Sequence, residues 1–157
     1  MNNCLGIAKK VAIVSGAAEG STELNAFDNA LIKAGIHDYN LIKVSSILAK
    51  GTKIQKFSGE IEKGSFVPCV LAKIYGKKGE KIIAGIATGF SEEGLGFVVE
   101  HTEINSDKKA VEQILLKKLK EMGKSRNVIL KKEIKIKIIE HISKKKSIAL
   151  VALVYIF

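Results

Sequence analysis

The end of the chain, Ser147-Ile148-Ala149-Leu150-Val151-Ala152-Leu153-Val154-Tyr155-Ile156-Phe157, restricts the possible folds more than any other stretch. It is the longest apolar run, yet it is shorter than the roughly 18 residues a membrane-crossing helix needs. A buried final strand fits it. The segment before it, Glu133-Ile134-Lys135-Ile136-Lys137-Ile138, alternates between charge and isoleucine. That period of two describes a strand with one wet and one buried face. Two closing strands are therefore expected, roughly 133–143 and 147–156, joined by Lys144-Lys145-Lys146.

The rest of the chain alternates between similar strands and two helices. Val11-Ala12-Ile13-Val14 reads as a short strand and Ser15 to Gly20 as a glycine-bearing turn. Ser21 or Thr22 is placed to cap a helix with Glu23 in its first turn. Leu24, Phe27, Leu31 and Ala34 form its apolar stripe, and Gly35 stops it. On that helix Leu24, Asp28 and Leu31 lie three and four residues apart, on one face. Asp28 either edges the stripe or points into a pocket to receive a cation. Tyr39 to Leu48 reads as one strand, oddly ended by Ser45-Ser46. Ala49 to Ile54 reads as a loop. Phe66–Tyr75, Lys81–Ala87 and Leu95–Thr102 are expected to form a β-meander, with Pro68 at a strand start or edge. Ser106 can cap a second helix striped by Ala110, Val111, Ile114, Leu115, Leu119 and Met122, with Gly123 at its end. The order predicts an α+β sandwich of β-sheets covered by helices, in αββα-type layers, as a single domain over 1–157.

Composition narrows the function classes. Apolar residues make up 46% and charged residues 27%, a globular balance. Cys4 and Cys69 are too few for a disulfide framework and lack metal-ligand spacing. His37, His101 and His141 are scattered, so no metal site is expected. The start shows no charged segment followed by an apolar one, so no signal peptide is read and cytoplasm is the default. The net charge of +10 raises nucleic acid as a partner. Of 26 basic residues, however, 14 lie between Lys108 and Lys146, and only Arg126 is an arginine. Base readout and stacking favour arginine and aromatic rings, so a solvated lysine face is expected instead. The Ser15–Gly20 segment has no Gly-Lys-Ser ending and lacks one glycine of the dinucleotide pattern, which argues against a phosphate cradle.

Gly16-Ala17-Ala18-Glu19-Gly20-Ser21-Thr22-Glu23-Leu24-Asn25-Ala26-Phe27-Asp28, with Ala34-Gly35-Ile36 and Asn40-Leu41-Ile42-Lys43-Val44-Ser45-Ser46, resembles the pyruvoyl-dependent arginine decarboxylases. The likeness continues through Gly64-Ser65-Phe66-Val67-Pro68 and Gly96-Phe97-Val98-Val99-Glu100. It implies a chain that cuts itself between Ser45 and Ser46, giving a β chain of 1–45 and an α chain of 46–157. Ser46 then becomes a covalent pyruvoyl cofactor, the electron sink for decarboxylation. L-Arginine would be bound as a Schiff base and released as agmatine and CO2. By resemblance the proton donor is Glu100, which burial would keep protonated. Asp28 receives the substrate guanidinium, Leu24 and Leu31 wall its methylene stem, and Asn40 orients the reacting carbonyl.

The resemblance also implies homotrimers or pairs of trimers with the site between protomers. Two departures stand out. Ala49-Lys50 occupy places where the family commonly has proline, and His37 and Tyr39 are larger than expected of pocket residues. The alternatives are the same chemistry on another amino acid, or a basic α+β module that binds nucleic acid without catalysis.

Overall fold

The computed structural model describes residues 6–157; Cys4 and the rest of the first five residues lie outside the described part. The closing strand β9 (Ser147–Ile156) is the middle strand of a five-stranded sheet. One neighbour is β1 (Lys10–Glu19) and the other is β5 (Phe66–Gly76), both antiparallel to it. Strands β2 (Asn40–Lys43) and β4 (Lys53–Gln55) form the two edges, parallel to β5 and β1. A second, four-stranded sheet has the order β3 (Ile47–Leu48), β7 (Gly96–Ile104), β6 (Lys81–Ser91), β8 (Leu130–Ile142).

The two sheets stack, and each is covered on its outer face by a helix. Ile148, Leu150, Ala152 and Val154 of β9 face helix α1 (Glu23–Ala34), with Ala26, Ala30, Leu31 and Ala34 packed on them. Ala149, Val151 and Leu153 face the other way, against Ile82, Ala84, Ile86 and Val98 of the second sheet. Because both faces of β9 are covered, it has no polar side, and this accounts for its uninterrupted apolar run. Helix α2 (Lys108–Ser125) closes the far layer with Val111, Leu115 and Leu119 on Ile83, Ala87, Phe97 and Val99. The αββα sandwich read from the sequence is the fold observed. The lysines of β8 stand exposed and Ile134, Ile136 and Ile138 pack towards α2, as the alternation requires.

Several elements differ from the sequence reading. Ser15–Gly20 is no turn: β1 continues to Glu19, and Gly16 is there because α1 lies directly on it. A Cβ at Gly16 would run into the main chain of Ala30. The expected meander is only a β6–β7 hairpin, since β5 pairs with β9 in the other sheet. The Ala49–Ile54 loop ends two residues early, where Lys53 starts β4 beside β1. Pro68 sits third in an interior strand, one residue before the β5–β9 ladder begins at Cys69, so its missing N–H falls outside that ladder. Thr22 and Gly35 cap α1 as expected. Helix α2 is capped not by Ser106 but by Asp107, whose carboxylate accepts from the Ala110 N–H. It runs past Gly123, which is buried against Leu130, and the left-handed turn falls to Asn127 at φ 53°. Glycine there serves packing and not termination.

Gly16→Ala is expected to destabilise the protein by about 1–3 kcal/mol, the usual cost of overpacking a fitted interface. Thermal unfolding would read this as a lowered Tm. An unchanged Tm would mean that α1 does not rest on β1 at this point.

Candidate active site

The stretch from Tyr39 to Leu48 is not one strand but two, and they belong to different sheets. Strand β2 runs beside β5 and is held by Asn40 N–H to the Ser65 carbonyl and Val44 N–H to the Cys69 carbonyl, 2.9 and 3.0 Å. Strand β3 runs beside β7, entered when the Val98 N–H donates to the Ser46 carbonyl at 2.9 Å. Ser45 and Ser46 therefore span the open edge of the sandwich, with a backbone anchor on each side. Ser45 is exposed and Ser46 half-buried. Just beyond, the Tyr155 hydroxyl donates to the Ile47 carbonyl at 2.9 Å, and burial pushes the Tyr155 phenol up to about 12. Ser45 lines a depression of about 370 Å3 with Ile7, Pro68, Tyr155 and Phe157.

Glu100 reaches this edge from β7. It follows Val98 by two residues, so it lies on the side of the strand that faces the other sheet. Lys43, the last residue of β2, meets it across the gap, Nζ to Oε1 at 2.7 Å. The other oxygen, Oε2, is buried and has no partner among the described residues. The Glu100 side chain is thus a third exposed with Lys43 at one oxygen, where the sequence reading expected a dry site. The main chain of Glu100 is fixed from behind: Lys118 Nζ donates to its carbonyl at 2.7 Å and to His101 Nδ1 at 3.2 Å. His101 Nδ1 must then accept, which leaves its Nε2–H to donate to Glu103 at 3.1 Å. That bond, with a second from Ser106, holds the Glu103 carboxyl below its ordinary value. Lys43, Glu100, His101 and Lys118 line a cleft of about 430 Å3.

The remaining expected site residues divide between two other places. Leu31 is buried and shares a cleft of about 580 Å3 with Asn40, Tyr39 and, again, Lys43. The Asn40 side chain donates from Nδ2 to the Gly64 carbonyl at 2.8 Å. Leu24 and Asp28 lie on the first half of α1 in an exposed depression with Thr22 and Asn25. Leu24 is 76% exposed, so the face it shares with Leu31 in sequence is split between solvent and core. Tyr39 packs edge-on against Phe57 and donates to the Ile61 carbonyl. His37 stands at the surface beside Asp38. Cys69 is buried, which pushes its thiol up to about 11 and keeps it from acting as a nucleophile. Thr52 ties the loop after Ser46, donating from its hydroxyl to the Ala8 carbonyl. Lys43 and Lys118 escaped sequence reasoning, because a lysine has no distinguishing signal in a chain this rich in them.

The profile of the pyruvoyl-dependent arginine decarboxylases matches residues 10–157. The chain belongs to that family. It is 43% identical to the pyruvoyl-dependent arginine decarboxylase of Methanothermobacter thermautotrophicus, over 96% of this chain and 98% of the relative. To that of Methanopyrus kandleri it is 39% identical over 78% and 79%. To that of Pyrococcus abyssi it is 36% identical over 95% of each. Membership of a pyruvoyl-dependent family implies a covalently bound pyruvoyl group and an arginine-decarboxylating enzyme. Among the described residues no group of three His, Cys, Asp or Glu side chains could hold a metal ion. Among the described residues no helix is long and apolar enough to cross a membrane.

Proposed function

We propose that this chain cuts itself between Ser45 and Ser46 and then decarboxylates L-arginine to agmatine and CO2 in the cytoplasm. The observation that carries the reading is the position of the serine pair. In a chain of this family it spans the two sheets, with Val44 fixed to Cys69 on one side and the Ser46 carbonyl fixed to Val98 on the other. Anchoring both flanks confines the Ser46 hydroxyl near the peptide it must attack. The hydroxyl adds to the Ser45 carbonyl carbon and the amide becomes an ester. Elimination releases residues 1–45 with a carboxylate end, and hydrolytic loss of ammonia leaves a ketone on residue 46.

The residues present fit such a group. The carbonyl of residue 46 already has its donor in Val98, and an unpartnered buried oxygen, Oε2 of Glu100, stands two residues further along β7. When bound there, a pyruvoyl group supplies a carbonyl for the substrate amine and an electron sink for loss of CO2. The chain's own residues do the rest. Glu100 gives a proton to the carbon that lost the carboxylate. The second N–H of the Asn40 amide is free of Gly64 and orients the reacting carbonyl. Leu31 walls the cleft beside Asn40.

Asp28 and Leu24 serve a site that one chain does not complete. Among the described residues of one chain they line a different cleft from Glu100 and from Asn40, and Leu24 leaves most of its surface to solvent. A neighbouring copy in a trimer, or a pair of trimers, would bring them over the serine edge, where the Asp28 carboxylate takes the guanidinium fork.

CO2 release from carboxyl-labelled arginine, and not from lysine or ornithine, is the expected result. Release from ornithine alone would shift the substrate, and none from any amino acid would remove the reading. Glu100→Gln is expected to leave the chain cleaved and to slow turnover roughly 10²–10⁴-fold, the range for a positioned general acid. Turnover near wild type would place the proton elsewhere.

Asp28→Asn is expected to raise KM for arginine roughly ten- to a hundredfold, the worth of a hydrogen bond to a charged group. Self-cleavage should stay intact. An unchanged KM would take Asp28 out of the substrate site.

A further inference from the structure

Resting on the reading that Glu100 supplies the proton, we propose that Lys43 is the positioning residue for that transfer. Its ammonium holds Oε1 of Glu100, so that the proton is carried on Oε2 and the charge left behind is met as it forms. The contact is short, 2.7 Å, and selective for one oxygen. The other oxygen is buried without a partner among the described residues. A neutral carboxyl group still accepts at its carbonyl oxygen, so the Lys43 bond persists whether or not the proton is present. In the neutral state it makes Oε1 the carbonyl and Oε2 the hydroxyl, the one with nothing else to donate to. As the proton leaves Oε2 for the substrate carbon, the group passes from neutral to anionic. A cation already in place stabilises the anion more than the acid, and therefore the transition state more than the resting state.

Among the described residues no other cation of the cleft is placed for this. Lys118 is committed to the Glu100 carbonyl and to His101. Lys73 stacks over the Phe27 ring, 4.7 Å from its centroid. Lys118 fixes the backbone from which Glu100 projects, and Lys43 fixes the end of the side chain. Lys43 also lines both the Glu100 cleft and the cleft of Leu31 and Asn40. It stands three residues before Ser46, on the piece 1–45, whereas Glu100 lies on the piece 46–157. After the cut, the same contact joins the two pieces at the reacting edge.

The competing account is an ordinary surface ion pair, since the Lys43 side chain is 60% exposed. Such a pair contributes little to stability, so removing it leaves a folded protein whose kinetics decide the matter. The test compares Lys43→Met, Lys43→Arg, Glu100→Gln and the double variant Lys43→Met/Glu100→Gln, each on protein shown to be cleaved on a denaturing gel. Lys43→Met is expected to lower kcat about tenfold, less than the 10²–10³ of a fully buried donor because this one is partly wet. KM for arginine should hardly move. The solvent deuterium isotope effect on kcat should grow, because proton transfer then limits turnover more strongly. Lys43→Arg should recover most of the rate, and in the Glu100→Gln background Lys43→Met should cost nothing further.

Wild-type kcat in Lys43→Met while Glu100→Gln is slow overturns the assignment and leaves Glu100 as the donor. An equal loss on both backgrounds also overturns it, since Lys43 would then act without Glu100. Wild-type turnover in Glu100→Gln takes away the proton-donor reading, and this assignment with it. Should Lys43→Met remain uncleaved, Lys43→Gln, which keeps a donor of similar length, takes its place. If both remain a single chain, Lys43 serves the cut and not the turnover, and the assignment falls.

Discussion

Strand β9 has no polar face, and most of the architecture follows from covering it on both sides. One face takes α1 and the other takes the second sheet, which in turn needs α2 on its outer side. Two stacked sheets built from one chain oblige the chain to pass between them. It does so by hairpin-like turns at Gly76 to Glu80 and at Ser143 to Ser147, by a short step from Val44 to Ser46, and by the return loop from Ala49 to Thr52. The first two are tied shut by turn and loop hydrogen bonds around Glu80 and Ser143. The third bends at Ser46 as it changes its partner strand, and its two ends are held by different sheets. A peptide in that position is restrained without being buried, a combination suited to a backbone that must react.

The fold was legible where periodicity was strong. The apolar run of β9, the lysine–isoleucine alternation of β8 and the Thr22 and Gly35 caps of α1 each correspond to an observed element. The failure in strand pairing has a plain cause: local pattern does not say which sheet a strand joins. Phe66–Gly76 and Lys81–Ser91 look like neighbours in a meander, yet their partners are β9 and β8. Gly16 and Gly123 looked like breakers because glycine is so often one, whereas here each makes room for a close neighbour.

The candidate site was legible only through resemblance. Nothing in the spacing of Leu24, Asp28, Asn40, Ser46 and Glu100 announces a common purpose, and within one chain they remain spread over separate clefts. What the sequence could not reveal is the charge pairing across the sheet gap. Lys43 and Glu100 are 57 residues apart, and their contact exists only because β2 and β7 meet at the same edge. It alters the expected character of Glu100 from an isolated buried acid to a carboxyl group with one oxygen occupied and the other free.

The central claim is that the peptide bridging the two sheets does not survive in the mature protein. Intact-mass spectrometry of the purified protein under denaturing conditions tests this most directly, with Ser46→Ala beside it as the uncut control. The account predicts two species, residues 1–45 and residues 46–157, the second lighter than an ordinary chain of that sequence by one molecule of ammonia. Ser46→Ala, without the attacking hydroxyl, should give one chain of about 17.0 kDa. A wild-type protein that still runs as that single mass after prolonged incubation would contradict the account.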